Sequence, residues 1–176
     1  MKLRKTNAVF SLITTILLLS HAISLAAWML SRGAVSKAPS SIPRALTLFF
    51  VVHAVISIVL LISTNKGRKK SDGKHYFKLN RETLVQRISG GLLIIFTWLH
   101  IAGTIGITTP SPVVHAIVQP LFFALVMAHV AVSTSKAFIT LGIGDARFIK
   151  RADTIIKVVC AITLIADVVG FYLHVC

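Results

Sequence analysis

Charge is scarce in this chain: 14% of its 176 residues are Asp, Glu, Lys or Arg, against 55% hydrophobic residues and a mean hydropathy of +0.84. A water-soluble domain of this length has no interior large enough to hide that much apolar surface, so a membrane setting is implied before any fold. Cysteine is nearly absent as well. Cys160 and Cys176 stand in no CxxC, CxxCH or paired spacing, which leaves a disulfide framework, a zinc site and covalent c-type haem attachment without support. No HExxH or other zinc constellation occurs, nor a nucleophile–base pair, so a stand-alone membrane enzyme lacks its chemistry. The one sizeable polar stretch, 64–86, is too short and too polar to fold alone.

What is present is five apolar blocks, at about 8–29, 45–63, 88–107, 113–132 and 155–175. Each comes near the ~20 residues a helix needs to cross the hydrocarbon core. The expected fold class is therefore all-α, a single integral membrane bundle of five transmembrane helices over residues 1–176. The first block follows Lys2, Arg4 and Lys5 and has Ala26 and Ala27 near its end, as a secretory signal would. Its apolar run exceeds the roughly 7 to 15 residues of a signal peptide, so a retained first helix is expected. Counting Lys and Arg on alternate sides of the spans gives 16 on one side (three at the N-terminus, eight from Lys66 to Arg87, five from Lys136 to Lys157) and Arg32, Lys37 and Arg44 on the other. The positive-inside bias then sets the N-terminus and both basic loops in the cytoplasm and the C-terminus outside, in the inner (cytoplasmic) membrane of a cell.

This clustering between spans assigns the net charge of +14 to topology, and no nucleic-acid partner is expected. Loop 64–86 reads as a topogenic basic loop beside anionic lipid or as a landing site for an acidic-faced cytoplasmic subunit. The short, proline-bearing turn at 108–112 makes helices three and four antiparallel neighbours.

Histidine is the unusual component. Of seven His, six lie in or at the edge of an apolar block: His21, His53, His100, His115, His129 and His174. An ionisable side chain in hydrocarbon costs a few kcal/mol unless it is paired, solvated or coordinated. Neutral imidazole is the usual axial ligand of b-type haem, and helices one to four each carry one His well inside the span, at His21, His53, His100 and His129. A weak repeat accompanies them, SLITTILLLSHA with SGGLLIIFTWLHI and LFFVVHAV with LFFALVMAHVAV. Counting depth at 1.5 Å per residue sets His21 and His100 in the outer half and His53 near the middle, so that these three share a level and one bis-His haem drawn from them is easy, while His129, towards the cytoplasm, is left without a partner at its level. An extension of helix four to Leu141 would make His129 more central. One haem or two are allowed, and the pairing stays open. Hydrogen bonding between helices, or a proton path, is the alternative use of these imidazoles. His75 lies in the basic loop.

Helix three opens Arg87-Ile88-Ser89-Gly90 and carries His100, and the next helix bears His129. From Asn80 to Gly142 this resembles the membrane cytochrome b subunits of succinate:quinone oxidoreductases and fumarate reductases, where an Arg/Ser/Thr-Gly element opens a helix bearing a haem-ligand His. The resemblance implies an anchor holding a flavoprotein and an iron–sulfur subunit on its cytoplasmic face, passing electrons between their clusters and menaquinone or ubiquinone. It implies His100 and His129 as haem ligands, and Arg87 and Ser89 beside a haem propionate or a quinone headgroup. Gly90 and Gly91 would let a flat macrocycle approach the backbone. The family's five-helix members begin with this motif, whereas here two His-bearing helices precede it.

Asp167 is the one acid inside a span, and His174 follows it on the same face two turns on, so the two form a candidate proton path. Trp28 reads as an interfacial anchor and Trp98 as packing or haem-pocket lining. Pro120 is placed to kink helix four. The competing function is a non-redox membrane protein, a small transporter or scaffold subunit that uses these His and Asp167 for protons or packing.

Overall fold

The computed structural model describes residues 2–36, 41–66, 81–104 and 111–175. Loop residues 67–80 with His75, Lys37, the turn at 105–110 and the side chain of His174 lie outside the described residues. Five helices are present: α1 (Lys2–Leu30), α2 (Ser41–Lys66), α3 (Arg81–Thr104), α4 (Pro112–Leu141) and α5 (Ala146–Val175). All five are long and apolar enough to cross a bilayer, which points to a multi-pass membrane protein.

The helices outrun the apolar blocks because local hydrogen bonding, not hydropathy, ends them. α5 begins nine residues before 155, where Asp145 Oδ1 accepts from the Phe148 backbone N–H at 2.7 Å and satisfies a first-turn donor. α4 starts on Ser111, whose hydroxyl accepts from the Val114 N–H, with Pro112 in the first turn. Past 132 it accommodates Ser133 and Thr134, whose hydroxyls are satisfied within the helix by the carbonyls four residues back, His129 and Val130. Gly142, at φ 74°, then closes it in the left-handed conformation that glycine adopts without strain. Residues 81–86 of the expected loop are the first turns of α3.

Neighbouring helices run antiparallel. Asn7, near the start of α1, exchanges side-chain hydrogen bonds with Ser57, late in α2. Lys136, late in α4, reaches Thr83 at the start of α3. The starts of α1, α3 and α5 and the ends of α2 and α4 therefore share one end of the bundle, which also carries most of the cations and is called here the basic end.

α1 packs against α2, α4 and α5, and α4 packs against α1, α3 and α5. α5 thus sits in the groove behind α1 and α4. A methyl on Gly170 would come 3.0 Å from Met29 Cβ, so the missing side chain lets α5 close on α1. In α4, Pro120 has no N–H to offer the carbonyl of Ala116, and the Tyr172 hydroxyl of α5 donates to that carbonyl at 3.1 Å. α4 continues as one helix through Pro120. In front, α2 and α3 flank the α1/α4 pair, and among the described residues α1 with α3, α2 with α4, and α2 with α3 make no extensive contact. The order is α2, α1, α4, α3.

Candidate functional site

The four mid-span His fall on the four helices of this row. His53 and His129 lie close enough to interact electrostatically, and so do His21 and His100. Each pair joins helices that do not pack on one another, α2 with α4 and α1 with α3. The row thus brings a His of its first helix within electrostatic reach of one on its third, and a His of its second within reach of one on its fourth.

The pairs sit at two heights. His53 reaches the backbone of Asn7, near the start of α1, and His129 lies beside Ser89 and the backbone of Gln86, near the start of α3. Both belong towards the basic end. His100 is eleven residues beyond Ser89 (89 to 100), a rise of about 16 Å at 1.5 Å per residue. It touches Gln119 and Phe122 of α4, which lie towards the far end. The depth count that grouped His53 with His21 and His100 is corrected here. It assumed flush helix ends, whereas α2 is staggered against α1, so that His53, in the middle of its own helix, lies opposite the first turns of the neighbour.

Hydrogen bonds define the state of the rings. Ser89, only 3% exposed, gives its one hydroxyl proton to the Val85 carbonyl at 2.6 Å, and its oxygen lies 2.9 Å from His129 Nδ1. With the proton on Val85 the oxygen can only accept, and the matching tautomer of His129 has its hydrogen on Nδ1 and its lone pair on Nε2. Ligating imidazoles are held in this way, donating one nitrogen to an outer partner and offering the other. Gly90 is part of the same fit: a methyl there would stand 3.1 Å from His129 Cε1. Gly91, which the sequence paired with it, faces open space.

At the far level the Gln119 amide lies 3.4 Å from His100 Nδ1, and Phe122 stacks on the ring at 5.1 Å between centroids. The two anchorings are reciprocal. A His on α4 is held by a side chain of α3, and a His on α3 by a side chain of α4. His53 contributes a different signal, since its buried Nδ1 has no hydrogen-bond partner among the described residues. A buried imidazole nitrogen left unsatisfied costs about 1–3 kcal/mol, which a ligand on that nitrogen would offset.

Other predicted residues fall elsewhere. Ser89 is committed to His129 within the α3/α4 seam. Arg87 is exposed at the basic end, close enough to Lys136 for their charges to interact. Asp167 is 1% exposed, with neither carboxylate oxygen hydrogen-bonded among the described residues. It lies on α5, which carries none of the four mid-span His. His115 is exposed and meets Phe171 edge-on at 5.3 Å. Trp98 does not line the interior: it is 62% exposed, because two residues of helical rotation from His100 carry it to the opposite face. Lys136 is the residue that the sequence reading passed over. It is half-buried and gives hydrogen bonds of 3.2 Å to both Thr83 Oγ1 and Gln86 Oε1. The signal for it was its spacing, seven residues after His129 and so on the same face of α4.

Among the described residues no three His, Cys, Asp or Glu side chains converge as a multi-ligand metal site requires. No family model, no curated protein and no solved structure matches this chain.

Proposed function

We propose that this chain is a haem b-carrying membrane anchor, passing electrons between a membrane quinone (menaquinone or ubiquinone) and a flavoprotein and iron–sulfur partner of the succinate or fumarate type. One observation carries the reading: two His pairs, at two heights, each on helices that make no extensive contact with one another among the described residues. A bis-His haem needs two imidazoles facing each other at one level across a gap wide enough for a macrocycle. Helices packed closely together leave little such gap, and among the described residues α1 with α3 and α2 with α4 make no extensive contact. Two pairs favour two haems, His53 with His129 and His21 with His100.

The donor chemistry fits the group. His129 offers Nε2 because Ser89 holds its Nδ1, and His53 has a buried nitrogen to satisfy. When bound, haem would supply a one-electron couple at each level, while the protein contributes orientation, electrostatics and exclusion of water. The resemblance of the Arg87 to His100 segment to succinate:quinone oxidoreductase anchors points to the partners, and the charge bias of the loops to a cytoplasmic basic end on which they dock. The cell's inner membrane is the location this orientation implies.

A dithionite-reduced minus oxidised spectrum of protein purified in mild detergent from haem-replete cells, with haem quantified per chain, tests this. A b-type spectrum at two haems per chain is expected. A colourless protein that co-purifies with a flavin and iron–sulfur partner would make the chain a haem-free quinone anchor. A colourless protein without such partners would move it to the transporter or scaffold class, in which the buried carboxyl of Asp167 becomes the leading functional group.

A further inference from the structure

Lys136 is a half-buried cation in an apolar helix, and among the described residues it makes no ion pair. Among the described residues the ion pairs are Arg147 with Asp145 and Lys157 with Asp153. Glu82 is near enough to act on Lys136 through space but does not bond to it. Thr83 and Gln86, both neutral, take two of the three ammonium donors and hold the nitrogen in place. A cation fixed by neutral oxygens at the edge of a hydrocarbon region is stabilised by an anion. Seven residues separate it from His129, about 10 Å of helix rise on one face. A haem held by His129 would carry propionates, and a propionate is a carboxylate, the kind of anion a fixed ammonium takes. Ser89, the sequence's choice for this task, has its proton on Val85 and its oxygen on His129.

We propose that Lys136 is the propionate-binding residue of the basic-end site, the counter-charge to the group held by His53 and His129. This rests on the haem reading above. A fixed positive charge beside the macrocycle stabilises the more electron-rich, reduced state, so it raises the potential of the near haem and leaves the far one alone.

The test is an optical redox titration of the purified full-length protein, comparing wild type, Lys136→Met and Lys136→Arg. In Lys136→Met the component that is missing from His129→Ala should move to a more negative midpoint, with the other component unmoved, and Lys136→Arg should restore it. No shift in either component overturns the proposal. So does an equal shift in both, which marks loosening of the α3/α4 seam. A shift that appears only in vesicles containing anionic phospholipid, and not in zwitterionic lipid, overturns it in favour of a lipid phosphate as the anion. Wild-type protein without haem would instead sink the functional reading itself, and this inference with it.

Discussion

The two histidine levels are built from different material. At the basic end, hydrogen-bonding groups lie beside His53 and His129: the Asn7 backbone, Ser89 and the Gln86 backbone, with the ammonium of Lys136 two turns further along α4. At the far level the groups on His100 include the Gln119 amide and the aromatic face of Phe122. A polar, cationic setting favours the reduced state of a bound haem more than an apolar one. The same pair of imidazoles, repeated at two heights, is thereby given two electrostatic environments. In the proposed function this makes the basic-end haem the higher in potential.

Ligand removal is the severest way to break the comparison. His53→Ala and His129→Ala should each abolish the basic-end haem and spare the other, and His21→Ala and His100→Ala should do the reverse. Haem per chain then falls from two to one in any single variant and in the within-level double His53→Ala/His129→Ala. It falls to none in the cross-level double His21→Ala/His53→Ala. One haem remaining in that cross-level variant would show that the levels are assigned wrongly.

A less drastic break uses the glycine that makes room for a ring. Gly90→Val adds a branched side chain where even a methyl stands 3.1 Å from His129 Cε1. The imidazole must shift by tenths of an ångström or more, and a misplaced ligand binds poorly. Loss of most of the basic-end component from the difference spectrum is expected, with the far-level component at full amplitude. Equal loss of both would mean that Gly90 serves general α3/α4 packing.

The smallest expected effect sharpens the comparison. Ser89→Ala removes the acceptor for His129 Nδ1–H but leaves the ring in its place. Outer partners of metal-ligating His are typically worth 10 to 100-fold in affinity, so transfer of one haem to an excess of an apo-globin scavenger should accelerate by about 10-fold or more. The corresponding change at the other level, Gln119→Ala, should accelerate release of the other haem only. Cross-effects between the two variants would deny that the sites are separate.

Much of the scaffold is legible in the sequence, and the reasons for the misses are local. Hydropathy marks all five spans, but it does not mark where they end. Residues 146–154 mix Arg147, Lys150 and Arg151 with apolar positions and fall below any apolar threshold, yet they are helical from the cap at Asp145 onward. The four mid-span His stand out because an imidazole in hydrocarbon needs a reason. Their pairing does not stand out, because height in a bundle depends on how helices are staggered, and no residue of α2 records its offset from α1. Ser89 was noticed as a polar group near a helix start, but whether its hydroxyl faces a ligand, a quinone or a neighbouring ring depends on what α4 brings beside it. Lys136 was hidden among five cations counted together as a topological signal.

What the sequence determined by itself is the set of spans, their alternation and which ends carry the charge. In hydrocarbon every backbone polar group must be satisfied within its own segment, so each helix is decided by its own residues. What only the tertiary structure decided is the order α2, α1, α4, α3, the seat of α5 behind it and the meeting of His53 with His129 and of His21 with His100. Lipid solvates every apolar helix face about equally well, so composition carries little instruction about which helices become neighbours. That choice is made by small fits, such as Gly170 against Met29, Tyr172 on the carbonyl that Pro120 releases, and Ser89 on His129.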